Sequence, residues 1–325
     1  MRQWKVINDR VVDIGEVDYL GYKYDDILSR KVDTLPTNYD GWFPFMRMCY
    51  SIGDLGITSG IFEALKTKYP NIKIALPSKE YIIKFFGDYI NRWNYNDSVT
   101  AIDNYNTIIY NNPYIDYFFN FGEFDIIYTD HERSYTGTIH DGDMIRSIDE
   151  PLAEQILRRF GFTDDDILNI DSRPKIYFTE EEIYKCDAII NKYIGDVDYG
   201  CLLFSARLDK YKGRWEEDKL LYKHSERIGE YPIFYYSDFD LENTFWGKFY
   251  SKRINFADIE EKPTIREQIY IKQHAKFNIG YQSGVNETSS GGTSEMISLS
   301  PYKTIRENCI RGCRYIFFDG KEKLI

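Results

Sequence analysis

The 325-residue chain contains no run of about 18 consecutive apolar residues, the length a helix needs to cross a bilayer, so no membrane-spanning helix is expected. Its opening residues, Met1-Arg2-Gln3-Trp4-Lys5, lack the basic-then-apolar plan of a signal peptide, which predicts a cytoplasmic protein. Cysteine is scarce. The five residues Cys49, Cys186, Cys201, Cys309 and Cys313 are odd in number and mostly far apart, which fits reduced thiols and not a disulfide framework. Only Cys309 and Cys313 are close in sequence, and no second Cys or His pair accompanies them, so no zinc site is expected. A surplus of cations is missing too. The formal net charge is −11, whereas proteins that grip a nucleic-acid backbone draw on clustered Lys and Arg, so nucleic acid is not an expected partner. The chain has no long internal repeat and no low-complexity segment. It has neither a P-loop nor the GxGxxG dinucleotide fingerprint.

What is present is an α/β rhythm in a chain long enough to split into two domains, since single cores stop growing near about 250–300 residues. Residues 1–43 are polar, aromatic and weakly periodic, and read as an N-terminal extension of short strands and turns. Phe45 to Tyr50 reads as a buried strand, Ser51-Ile52-Gly53-Asp54 as a turn, and Leu55 to Tyr69 as a helix ended by Pro70 and Asn71. Ile72 to Leu76 completes a βαβ unit, the building block of parallel sheets. Ser78 to Trp93 has helical spacing, Thr107 to Tyr110 and Phe124 to Tyr128 are strand candidates, and Asp149 to Phe160 is a helix. Asp164 to Arg173 reads as a polar connector.

The second half repeats the pattern. Thr179 and Glu182 form a capping box at the head of a helix running to about Ile194. Strands are expected at Gly200–Ser205, Pro232–Tyr236, Ile254–Phe256 and Tyr315–Phe318, with helices at Glu217–Ile228 and Thr264–Gln273. Lys276 to Gly280 leads into a loop dense in Ser and Gly. The expected organisation is an extension (1–43), an acceptor-side Rossmann-like domain (44–170) and a nucleotide-sugar-binding Rossmann-like domain (171–325), with their parallel sheets facing across a cleft.

Ligands of open α/β sheets bind beyond the carboxyl ends of strands, and three loops there carry chemistry. In the first, Gly53 permits a tight turn and Asp54 could accept a proton from an attacking hydroxyl; Asp54 could equally cap the following helix. In the second, Ser205 to Trp215 holds Arg207, Lys210, Lys212 and Arg214, a cationic cluster in an acidic protein. It fits an anionic ligand, or else is a solvated basic loop. In the third, Tyr281 to Met296, small residues would let backbone N–H groups approach a phosphate; a flexible loop is the other reading.

These loops together resemble a family. Ser51-Ile52-Gly53-Asp54, followed by Ala64-Leu65-Lys66 and Tyr69-Pro70, is similar to the "S-x-G-D", "A-L-K" and "Y-P" opening of heptosyltransferase-like glycosyltransferases of the GT-B fold. Asn112-Pro113-Tyr114-Ile115-Asp116, Lys212-Gly213-Arg214-Trp215 and Gln282-Ser283-Gly284 resemble further family segments, in order, over residues 45–300. The resemblance implies sugar transfer from a nucleotide-diphosphate sugar to an acceptor hydroxyl, without a metal or other cofactor and with inversion. It implies Asp54 as catalytic base. It also implies that Lys212 and Arg214 hold the donor diphosphate and that Ser283 and Gly284 line the phosphate loop. By their place on the same loops, Lys210, Asn286 and Glu287 are assigned to the donor side, and Ser51, Gly53 and His131 to the acceptor side, although His131, like His140, reads equally as a surface histidine. The chain departs from the family pattern at Gln282, where Asp is usual, and at Glu287, where His is usual.

Three other functions compete. Asp238-Phe239-Asp240 after a strand could hold a hard cation and a diphosphate, as in a metal-dependent transferase. A transferase acting on modified bases of nucleic acid would need a local basic groove. A binding protein that has lost turnover would take up nucleotide without consuming donor.

Overall fold

A computed structural model of the chain describes residues 2–7, 10–16, 35, 39–47, 50–83, 98–109, 111–120, 122–124, 128–129, 151–204, 231–237, 252–292, 295–300, 310–317 and 321–325. The fold is mixed α/β, built on parallel strands. Two compact units divide it. The first comprises Met1–Ser51, Gly60–Arg146 and Ala153–Ser172, and the second Ile52–Ser59, Ser147–Leu152 and Arg173–Ile325.

In the first unit, β1 (Arg2–Ile7) and β2 (Arg10–Glu16) form an antiparallel hairpin with an irregularity between Gln3 and Trp4. A four-stranded sheet follows, ordered β5-β4-β3-β6, from β3 (Trp42–Met46), β4 (Lys73–Pro77), β5 (Tyr117–Phe119) and β6 (Tyr128–Thr129), all parallel. Its core uses the chain's aromatic richness. The Phe43 ring meets Phe160 edge-on at 4.8 Å and Phe45 meets Phe62 at 6.1 Å. Such rings bury large areas with a preferred edge-to-face geometry. The buried Tyr69 hydroxyl donates to the Phe160 carbonyl at 2.7 Å, so burial leaves no orphan there.

Several expectations shift. The first strand of the sheet lies at Trp42–Met46, three residues before the expected start. The expected helix 55–69 is two helices, Ile52–Ser59 and Ile61–Lys68, interrupted at Gly60. Of the strand expected at 107–110, Thr107 to Ile109 instead close the helix Ser98–Ile109, with Asn111 at φ 60° beyond it and residue 110 outside the described residues. Tyr105, Ile108 and Ile109 are all buried, so helical spacing outweighed the β-branched run. The expected strand at 124–128 is represented by Tyr128–Thr129, with 125–127 outside the described residues. Residues 79–83 are helical as expected, and 84–97 lie outside the described residues. The helix expected at 149–160 is Leu152–Arg159. The polar connector contains a short helix, Asp164–Leu168, capped reciprocally by Thr163 and Asp166.

The second unit carries a seven-stranded sheet ordered β13-β12-β11-β10-β7-β8-β9. Its strands are β7 (Gly200–Phe204), β8 (Ile233–Ser237), β9 (Arg253–Asn255), β10 (Phe277–Tyr281), β11 (Glu295–Ser300), β12 (Cys313–Phe317) and β13 (Glu322–Leu324). Every neighbouring pair is parallel except β12 with β13. Alternation sorts side chains to two faces. Leu202, Phe204, Ile279, Tyr281, Ile297 and Leu299 make one apolar cluster. On the other face, Cys201 and Phe234 pack with Cys186 and Ile189 of helix Glu180–Tyr193 and Ile271 of helix Ile265–Gln273. Both helices begin in complete capping boxes, Thr179 with Glu182 and Thr264 with Glu267. Arg266 then pairs with Glu182 at 2.6 Å and Lys185 with Glu267 at 3.0 Å, tying the two helices together. The expected helix 217–228 lies outside the described residues.

Candidate functional site

The described part of the Ser/Gly segment after β10, residues 283–292, is helical and not an irregular loop. Ser283 caps a short helix, Gly284–Thr288, by accepting from the Asn286 N–H at 3.4 Å. A 3₁₀ turn at Ser289–Gly291 then leads towards β11. The small residues serve close packing. A Cβ on Gly291 would meet the Pro174 carbonyl oxygen at 1.8 Å, and one on Gly292 the Gln273 carbonyl oxygen at 2.2 Å.

Helix Ile52–Ser59, within the same unit, packs on Gly284–Thr288. A Cβ at Gly284 would lie 2.4 Å from the Gly53 nitrogen, and one at Gly53 would lie 2.8 Å from the Gly284 Cα, so backbone meets backbone. Thr288 fills the space beside Gly56 and donates to the Ile52 carbonyl at 3.3 Å. At the helix's far end, Ser59 accepts from the Lys175 N–H at 2.8 Å. The helix starts at Ile52, so Asp54 stands in its first turn and not at its cap, with its charge towards the positive end of the helix dipole. Asp54 and Ser51 are half-buried, and Gly53 is buried.

Beneath this contact lies a buried polar layer. Glu287 is only 3% exposed, and its Oε1 accepts from the Tyr315 hydroxyl at 3.3 Å. Burial pushes the Glu287 carboxyl up to about 8. The nearby Asp54 charge pushes the same way, against bonds from Gln282 and Tyr315. Asn286 is fully buried, and its Oδ1 accepts from Lys272 Nζ at 3.2 Å. Burial pulls the Lys272 ammonium down to about 8, partly offset by neighbouring Cys201. Asn278 on β10 donates to the Lys272 carbonyl at 2.6 Å. Asn278 Oδ1, Asn286 Nδ2, Ser290 Oγ and Ser298 Oγ have no hydrogen-bond partner among the described residues.

Of the residues picked out in the sequence, the structure brings together Gly53, Asp54, Ser283, Gly284, Asn286 and Glu287. The side chains of Asn286 and Glu287 point into the buried layer. Lys210, Lys212, Arg214, His131, Asp238 and Asp240 lie outside the described residues. Lys272 and Tyr315 were not singled out in the sequence. Lys272 sits in an ordinary amphipathic stretch and Tyr315 in a strand, and neither residue type at that spacing signals a polar interior. Cys313 is fully buried, and Cys309 lies outside the described residues. Among the described residues no group of three His, Cys, Asp or Glu side chains is placed to hold a metal, and no helix is long and apolar enough to cross a membrane.

No protein-family model matches the chain, and no curated protein matches it in sequence. Solved structures with a similar chain path include a family 9 glycosyl transferase from Veillonella parvula DSM 2008, at 13% identity and TM-score 0.48, covering 88% of each chain. E. coli ADP-heptose LPS heptosyltransferase II is similar at 13% identity and TM-score 0.47, over 84% of this chain and 90% of that one. E. coli heptosyltransferase WaaC with ADP is similar at 10% identity and TM-score 0.36, over 80% and 87%. Likeness at this level transfers no residue roles.

Proposed function

We propose that the chain is a glycosyltransferase that moves a sugar from a nucleoside-diphosphate sugar to an acceptor hydroxyl, with Asp54 as the base. The observation that carries this reading is the juxtaposition of Asp54 with the Gln282-Ser283-Gly284 turn, from opposite ends of the sequence, through the Gly53–Gly284 backbone contact. Both segments are among those on which the resemblance to heptosyltransferase-like enzymes rests, the second with Gln282 in place of the usual Asp. In the proposed step the acceptor O–H gives its proton to the Asp54 carboxylate as its oxygen bonds to the anomeric carbon. The bond from that carbon to the phosphate oxygen breaks, and its electron pair leaves with the nucleoside diphosphate. Lys210, Lys212 and Arg214 supply the cations that stabilise this leaving group, and backbone N–H groups near Ser283 assist. Attack from the opposite side inverts the anomeric centre. No metal is required in this scheme, because the basic loop neutralises the departing charge, and the acceptor is a saccharide.

A thermal-shift screen against ADP, UDP, GDP, CMP and their sugar conjugates, with Mn²⁺ or with EDTA, tests the reading. A ligand at 100 times its Kd adds about 2.7 kcal/mol, which is readily seen. One nucleoside diphosphate is expected to stabilise the protein regardless of EDTA, and Lys212→Ala should abolish the shift. Asp54→Asn should keep binding and lose turnover by about 100-fold or more. A protein indifferent to every nucleotide would sink the proposal, and strict Mn²⁺ dependence abolished by Asp238→Ala would replace it with metal-assisted transfer.

A further inference from the structure

We infer that Lys272 is a positioning residue for the Ser283 hydroxyl: acting through Asn286, it fixes that hydroxyl so that its proton is given to a phosphate oxygen of the donor's diphosphate. The diphosphate rests on the transferase reading; the hold of Lys272 on the turn does not.

Four residues close a ring of hydrogen bonds around the turn that follows β10. Asn278, in the middle of β10, donates from its side-chain amide to the Lys272 carbonyl at 2.6 Å. Lys272, in the last turn of helix Ile265–Gln273, donates from Nζ to Asn286 Oδ1 at 3.2 Å. The Asn286 backbone N–H donates to Ser283 Oγ at 3.4 Å, and Ser283 stands two residues beyond the end of β10. The strand is thus tied, by way of a separate helix, to the turn it leads into. Because its oxygen accepts from Asn286, the Ser283 hydroxyl keeps its own proton to give. Ser283 is half-buried, so that proton is within reach of a ligand. Helix Gly284–Thr288 is held from its other side by the Gly53–Gly284 contact and the Thr288–Ile52 bond, so one short helix registers both Ser283 and the helix of Asp54.

Packing alone does not account for a lysine at this position. Lys272 is 1% exposed and Asn286 is fully buried. A methionine would fill much the same length without a polar head, whereas a buried amine costs free energy unless it is bonded. Charged or neutral, the amine donates to Asn286, so the hold does not depend on its protonation. Asn286 in turn relies on that bond. Its Nδ2 has no hydrogen-bond partner among the described residues, so without Lys272 neither end of its amide keeps one there. The amide would turn towards another partner and carry with it the backbone N–H that pins Ser283.

Calorimetric titration with inorganic pyrophosphate reads the role. Ser283→Ala should weaken binding about tenfold, the loss of one bond to a charged oxygen. Lys272→Met should weaken it about three- to tenfold, yet cost nothing further in the Ser283→Ala background, because Lys272 acts through that hydroxyl. A full loss in both backgrounds would mean that removing Lys272 loosens the interior generally, and overturns the inference. Pyrophosphate binding unchanged in Lys272→Met, or absent from a wild type that a nucleotide stabilises, overturns it as well. The hold is read without ligand by hydrogen exchange. In Lys272→Met the Asn286 amide should exchange about tenfold faster while the Ile279 amide of β10 is unchanged. Equal protection of Asn286 in wild type and variant overturns the hold. If Lys272→Met fails to fold, adding Asn286→Leu removes both partners and keeps an apolar interior, and that double variant should show the same loss of pyrophosphate affinity. A wild type indifferent to every nucleotide refutes the transferase proposal instead, while amide exchange still decides the hold.

Discussion

Replacing Gly284 by Ala puts the Gly53–Gly284 contact to a direct test. The new methyl would sit 2.4 Å from the Gly53 nitrogen and 3.0 Å from its Cα, both backbone atoms that no rotamer change can move. Ordinary contact between such atoms lies near 3.5 Å, so the two helices must part by about 1 Å. Overpacking of this kind costs about 1–3 kcal/mol. Helix propensity opposes it, since Ala is preferred to Gly by about 1 kcal/mol in a helix interior and by less at the first helical position, where Gly284 stands. A net loss of about 1–2 kcal/mol is expected. Gly53→Ala should also destabilise, because its methyl would lie 2.8 Å from the Gly284 Cα. The double variant should cost less than the sum, by about 0.5 kcal/mol or more, since one displacement makes room for both methyls. Urea titrations followed by far-UV circular dichroism measure all three. Gly284→Ala as stable as wild type, or strictly additive costs, would refute the view that the two backbones are in contact.

Three further outcomes follow from the buried polar layer and the thiols beside it. Glu287, raised to about 8, supports stability fully below its ordinary value of 4.5 and loses it as pH climbs to 8. Lys272, lowered to about 8, supports stability fully above 10.5 and loses it as pH falls to 8. Their sum is a stability minimum near pH 8, with arms of a few kcal/mol. Glu287→Gln should flatten the acid arm and Lys272→Met the alkaline one in urea titrations run at several pH values. Ser298→Ala should be neutral or stabilising, because its buried hydroxyl has no described partner, whereas Asn278→Ala should cost about 1–3 kcal/mol through its lost bond to the Lys272 carbonyl. Cys186 and Cys201 have thiols pushed up to about 12 by burial, so peptide mapping after alkylation should find both unlabelled in the native protein and labelled in urea.

Much of the second unit is legible in its sequence because local signals there agree with the fold. The Thr179–Glu182 capping box and the short apolar runs Gly200–Phe204 and Ile233–Ser237 lie where pattern alone puts them, whereas Phe277–Tyr281, read only as the lead into a loop, is a central strand. The first half is harder to read. Thr107-Ile108-Ile109 has strand composition, yet burial of Tyr105, Ile108 and Ile109 on one helical stripe decides otherwise. Gly60 divides one apparent helix into two without a proline to announce it. At the site, Asp54, Ser283 and Gly284 could be found from motif and position. Glu287 could be found only as a residue type, since its burial depends on Tyr315, 28 residues further on. Lys272 is invisible to pattern reading because its interior position is set by Asn286 and Asn278 together.

Helix Ile52–Ser59 belongs to the second unit, although the chain on either side of it belongs to the first. Thr288 and Ile52, joined by a hydrogen bond, stand 236 residues apart in sequence. During synthesis the glycine face of this helix must therefore wait for nearly the whole chain before its partner exists, and closing so long a loop slows folding. Nor can the protein be halved at residue 172: a fragment starting at Arg173 would leave bare the seat of Gly53 and Gly56 on Gly284–Thr288. Such a fragment, which also lacks Ser147–Leu152 of the same unit, should be less stable than the whole chain and should gain stability when a peptide carrying residues 52–59 is supplied in trans.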